Sequence, residues 1–180
     1  MKEAIIKEIE LPQGVSAVLD GPTLTIKGPK GENVRSFDYP TISLEVKDGK
    51  VVVSAQKATK REKRMIGTFS SHIKNLVQGV QEKFVYKLKI CSGHFPMNVS
   101  VSGNSVVVKN FLGEKNPRVI TFSNGVEIKV NGTEIVVTSC SKELAGLAAA
   151  KIEKGCYIAN RDRRIFQDGI WITEKAGKAV

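Results

Sequence analysis

Gly103-Asn104-Ser105-Val106-Val107-Val108-Lys109-Asn110-Phe111-Leu112-Gly113-Glu114 restates an earlier stretch, Gly21-Pro22-Thr23-Leu24-Thr25-Ile26-Lys27-Gly28-Pro29-Lys30-Gly31-Glu32. Each opens on glycine, runs through an alternating apolar strand to a lysine and, after three more residues, reaches Gly-Glu. The offset is 82 residues. Asp48-Gly49 closes 28 residues beyond Gly21 and Asn131-Gly132 closes 29 beyond Gly103, each between alternating apolar runs. A repeat of this length fixes how many cores the chain must build. It predicts two small domains of about 80 to 90 residues each, 1–82 and 83–180.

Within the first copy, residues 15–20 and 23–27 read as short strands joined at Asp20-Gly21-Pro22. Ile42, Leu44 and Val46 alternate with polar residues, and Val51 and Val53 return after an Asp-Gly pair, the signature of a type I′ hairpin. Such a half-buried antiparallel meander needs a cover for its apolar face. From Thr59 the period changes. Met65, Ile66, Phe69, Ile73, Leu76, Val77 and Val80 fall at helical spacing, with Thr59-x-x-Glu62 as a capping box and Gly79 as the expected stop. The basic run Lys60, Arg61, Lys63 and Arg64 opposes the helix dipole in the first turns, as either a phosphate-facing or a plainly solvated face.

The second copy begins with the strand 84–90, continues through 99–101, the repeated stretch and 118–122, and forms a hairpin over 126–137. A helix is predicted over 141–154, with Leu144, Leu147, Ala148 and Ile152 inward and Gly155 as its stop. The fold class expected is α+β: two tandem duplicated domains, each a mainly antiparallel β-sheet with one α-helix packed on one face.

Composition bounds the function classes. The 180 residues are 41% hydrophobic and 26% charged, as in ordinary globular proteins. No window approaches the roughly 18 apolar residues of a membrane span, and the first residues lack the apolar core of a signal peptide, so a cytoplasmic, membrane-free protein is expected. Cys91, Cys140 and Cys156 have neither zinc-ribbon spacing nor an even count, which fits reduced, packed thiols. Net charge is +10, unevenly placed: 13 Lys and Arg against 10 Asp and Glu over residues 1–82, then 15 against 8. The second copy carries most of a positive field suited to a polyanion.

Catalysis finds little support. His72 and His94 have no triad partners, the glycine loops match neither phosphate-binding fingerprint, and no set of metal ligands is spaced for a metal. We therefore expect no enzyme, no cofactor, no metal and no small-molecule substrate. The informative end is residues 155–175. It has no counterpart in the first copy and carries Arg161, Arg163 and Arg164, planar donors suited to phosphate oxygens, with Phe166 and Trp171 nearby. Asp162 and Asp168 among them suggest charge pairing, and Trp171 is expected in the core.

Three motifs in order, Gly93-His94-Phe95-Pro96-Met97-Asn98-Val99, then Lys109 to Lys115, then Asn160 to Ile170, closely resemble the family of protein six of the large ribosomal subunit, in its archaeal and eukaryotic branch. The resemblance spans the whole chain, including its duplication. Bacterial members carry Tyr-Lys-Gly-Lys-Gly where this chain has its arginine-rich segment. The resemblance implies a non-catalytic ribosomal protein in the cytoplasm. Its second domain would bind large-subunit ribosomal RNA near the region that translation factors engage, beside neighbouring ribosomal proteins. The residues expected to meet RNA are His94, Phe95 and Pro96, Lys115 and Arg118, Lys151 and Lys154, and Arg161, Arg163, Arg164 and Lys175. A protein-interaction module using exposed sheet edges is the alternative, and a hydrolase built on His94 a distant third.

Overall fold

A computed structural model describes residues 3–47, 49–93, 95–162 and 164–180. Asp48 of the first hairpin, and His94 and Arg163 of the expected RNA surface, lie outside the described residues. The chain divides into two compact units, 1–83 and 84–180. The first runs β1 (Glu3–Glu10), β2 (Ser16–Asp20), β3 (Thr23–Gly28), β4 (Gly31–Ser36), β5 (Ser43–Lys47), β6 (Lys50–Ala58) and α1 (Lys60–Gln81). The second runs β7 (Phe84–Cys91), β8 (Asn98–Ser102), β9 (Ser105–Lys109), a single 3₁₀ turn at Phe111–Gly113, β10 (Arg118–Thr121), β11 (Glu127–Asn131), β12 (Glu134–Ser139) and α2 (Lys142–Gly155). To these it adds β13 (Gly169–Lys175) and β14 (Lys178–Ala179).

The α+β duplication is as expected, with one refinement. Each unit folds its strands into two antiparallel sheets, not one meander. In the first unit β2-β3-β4 form one sheet and β1-β6-β5 the other; in the second, β8-β9-β10 match the former and β11-β12-β7 the latter, extended by β13 and β14. Alternation fixes which face of a strand is buried but not which strand lies beside it, so the pairing of β1 with β6 was invisible in the pattern. The two hairpins of the repeated stretch are built alike. Gly21-Pro22 and Gly103-Asn104 are two-residue turns whose glycines both take φ of 56°, a conformation open to glycine at no steric cost.

The helix of each unit packs on strands of both its sheets. On α1, Ile73, Leu76, Val77 and Val80 make an i, i+3, i+4, i+7 stripe, and on α2 the same stripe is Ala145, Ala148, Ala149 and Ile152. Smaller residues on α2 meet larger ones below, since the second core adds Phe84, Tyr86, Phe111 and Phe122. Three expectations are corrected. Leu147 lies off the stripe and is 52% exposed. Gly79 is buried inside α1, which runs on to Gln81 because the glycine faces the core, and Glu82 caps the end by donating its N–H to Gln78 O at 2.8 Å. Gly155 is the last residue of α2 and Cys156 its cap. The Thr59–Glu62 capping box is present as expected, with Thr59 hydroxyl and backbone N–H both donating to the Glu62 carboxylate.

Candidate nucleic-acid interface

Four segments of the second unit are tied together by specific contacts. They are residues 91–97 after β7, the turn 110–118 between β9 and β10, the end of α2, and the segment 156–168. Asn110 takes a left-handed backbone and donates from Nδ2 to Pro96 O at 3.1 Å. A methyl placed on Gly113 would meet the Phe95 ring at 3.4 Å, so the exposed Phe95 lies across this glycine. Gly93 N–H donates to the carboxylate of Asp168, which is 2% exposed. That buried acceptor fixes residue 93 against the start of β13.

Arg118 joins the remaining segments. Its Nε and Nη2 donate to the two Glu114 carboxylate oxygens at 2.8 and 2.6 Å, and Nη1 donates to Gly155 O at 2.9 Å and Tyr157 O at 3.2 Å. The guanidinium also lies 4.2 Å from the Phe111 ring centroid. Expected to meet RNA, Arg118 instead commits its donors to the fold. It occupies the orphan carbonyls at the C-terminus of α2, a favourable place for a cation. The hydrogen bond from Arg118 holds the Glu114 carboxyl below its usual range.

Around this frame the expected cations are exposed: Lys115 on the turn, Lys151 and Lys154 on the last turns of α2, Arg161 and Arg164 beyond it. Pro96 is exposed beside Phe95. Arg161 lies 4.9 Å from the Phe166 ring centroid. Arg164 donates from Nε and Nη2 to Asp162 at 3.1 and 2.8 Å, and these bonds hold the Asp162 carboxyl below its usual range. Its side chain is nonetheless 90% exposed. Asp162 thus pairs as expected, whereas Asp168 is an internal anchor. Lys175 is not brought to this surface. It pairs opposite Tyr86 at the far end of β13, about 20 Å along the strand from Gly169 at roughly 3.3 Å per residue.

The same loops enclose a groove of about 890 Å³, lined among others by Lys89, Tyr157, Arg164, Ile165, Phe166 and Trp171. Lys89 and Tyr157 were not foreseen. Ile170 is buried and Ile172 packs against the core, so the alternation along β13 turns Trp171 outward, against the expectation that it is core. Its indole lies over Gly169, where an added methyl would meet it at 3.2 Å. Cys156 beneath the groove is an inert thiol, pushed up to about 11 by burial.

These observations define a class: a basic, duplicated α+β protein with a loop surface of cations and rings at one end of its second unit. The model of the family described as Ribosomal protein L6 matches residues 11–83 and 95–169, one match in each unit. A protein of Methanosarcina mazei named large ribosomal subunit protein uL6 is 49% identical over 176 residues, covering 98% of this chain and 100% of the relative. Proteins of the same name from Nanoarchaeum equitans and Methanococcus vannielii are 46% and 44% identical, covering 100% and 98% of this chain and 98% and 97% of their own lengths. The chain belongs to the ribosomal protein L6 family, whose members are structural proteins and not enzymes.

Proposed function

We propose that the chain is a structural constituent of the large ribosomal subunit in the cytoplasm, held on large-subunit ribosomal RNA near the region that translation factors engage. The second unit carries the RNA, beside neighbouring ribosomal proteins. One observation supports this beyond family membership: loops bearing Phe95, Pro96, Lys115, Arg161 and Arg164, and the last turns of α2 with Lys151 and Lys154, are braced by Asn110, Arg118 and Asp168 into one preformed surface. Donors fixed in advance suit folded RNA, which is recognised by shape and phosphate position more than by base edges. Trp171 and Tyr157 add faces on which an unstacked base can rest. His94 and Arg163 belong to the same two loops by sequence.

The test is RNA affinity across a salt series. Replacing Arg161, Arg163 and Arg164 together by Gln removes up to three phosphate contacts, and the slope of log K against log salt should flatten by about 2 to 3. Circular dichroism should show an unchanged fold, because exposed charges contribute on the order of 0 to 1 kcal/mol each. An unchanged slope in the folded variant would remove the arginine segment from the interface.

A further inference from the structure

The duplication leaves one position filled in the second unit and open in the first. In the second unit β13 pairs antiparallel with β7 and rests on α2, where Glu153 Oε1 accepts the Ile172 N–H at 3.3 Å. In the first unit β1 pairs, among the described residues, with β6 alone. Its other edge borders a groove of about 500 Å³ lined by Glu8, Ile9, Glu10, Pro12 and, from α1, Lys74, Val77, Gln78 and Gln81.

The registers superpose the two places residue by residue. Val53 pairs with Lys7 and Val137 with Tyr86, so Lys7 corresponds to Tyr86, Ile9 to Leu88, and Glu8 and Glu10 to Lys87 and Lys89. The helices align through their anchors: Asn33 Nδ2 donates to Leu76 O as Arg118 Nη1 donates to Gly155 O, and Asn33 and Arg118 hold the same place opposite Ile26 and Val108, which sets Lys74 where Glu153 stands. Lys74 lines the groove there, an ammonium in place of the carboxylate that accepts the strand's N–H. Val77 and Ile9 supply the groove's apolar lining. The outward charge is inverted. In the second unit Lys87 pairs with Glu174 of β13 at 2.7 Å, whereas in the first the outward residues are carboxylates, Glu8 and Glu10, with Lys50 shared between them at 3.3 and 3.2 Å.

We propose that the β1 edge and the adjacent face of α1 form a docking site for an extended segment of another protein. The segment adds as a strand antiparallel to β1, with an aliphatic side chain opposite Ile9 and lysine or arginine opposite Glu8 and Glu10. Main-chain hydrogen bonds from an open edge supply affinity, and alternate side chains supply selectivity. The inverted charges argue against the two other occupants. A second copy offering its β13 would set Glu174 against Glu8, and an RNA phosphate would face the same carboxylates. The proposal does not depend on where the second unit binds RNA.

The probe is a seven-residue peptide with the β13 sequence in which lysine replaces Trp171 and Glu174. Added in excess to the full chain, it should slow amide exchange within residues 4–10 and leave the α2 amides unchanged. Glu8→Lys with Glu10→Lys should weaken this peptide about tenfold and favour the unaltered β13 peptide instead, since cross-strand charges reverse sign. No protection of β1, or equal affinity for the charge-reversed variant, would overturn the proposal. So would protection of β1 on self-association at high protein concentration, or by ribosomal RNA in place of the peptide.

Discussion

Arg118 shows how one side chain can look like a ligand and serve as a brace. Its guanidinium spans Glu114, the end of α2, Tyr157 O and the Phe111 ring, so it holds the turn 110–118 against the segment that carries Arg161 and Arg164. Arg118→Gln should destabilise the second unit by about 1 to 3 kcal/mol, from charge-assisted bonds lost and carbonyls left unpaired. In urea unfolding the midpoint falls, while the salt slope of RNA binding stays as in wild type; a flattened slope would return Arg118 to the interface. Glu114 adds a pH dependence. Its folded pKa is depressed by Arg118, so its contribution is complete above the unfolded value of about 4.3 and is lost as pH falls through the lower folded value. Both side chains are partly exposed, 40% and 29%, which limits the effect to about 1 kcal/mol or less. Glu114→Gln should therefore be less stable than wild type at pH 7 and equal to it near pH 2. A difference that persists undiminished at that pH would assign the stability to something other than the ionised carboxylate.

Glycines separate packing from propensity along the elements. Gly67 on α1 has open space around an added methyl, so Gly67→Ala should raise stability by about 0.5 to 1 kcal/mol. Gly28, at the end of β3, has Val80 Cγ2 at 2.8 Å and Val80 O at 3.0 Å from the same added atom. Gly28→Ala should cost about 1 to 3 kcal/mol, and equal unfolding midpoints for the two variants would refute both assignments. The capping box and the helical stripes were legible because Thr59, Glu62 and the apolar spacing state local rules. Leu147 and Gly79 were misread for separate reasons: in α2 most of the stripe is alanine, which carries little hydrophobic contrast, and in α1 a glycine serves contact with the core in place of termination. Trp171 was legible in principle, since Ile170 and Ile172 fix its side of the strand, but its size suggested the core. Asp168 gave no local sign of its role, because Gly93 stands 75 residues away, and Arg118 has Glu114 close by but braces carbonyls 37 and 39 residues on.

The whole molecule follows from the repeat, and with it two expectations. Fragments 1–83 and 84–180 should each unfold cooperatively, since each holds its own helix, two sheets and core. Two unfolded fragments beside a single transition in the full chain would contradict this. Filter binding should find most RNA affinity in fragment 84–180, which carries 14 Lys and Arg against 8 Asp and Glu. Equal binding by the two fragments would make the charge asymmetry irrelevant. The number of cores was legible because duplication is written in the order of residues; the division of each unit into two sheets was not, because it depends on β1 meeting β6 across the whole copy. The same geometry has a consequence for a chain still being synthesised. β7 is translated long before β13, so one side of it must wait open while loops, α2 and the arginine segment are made, and closing so distant a pair is slow. A nascent second unit therefore passes through a stage in which it resembles the finished first unit, with an edge exposed to any chaperone or stray strand that finds it.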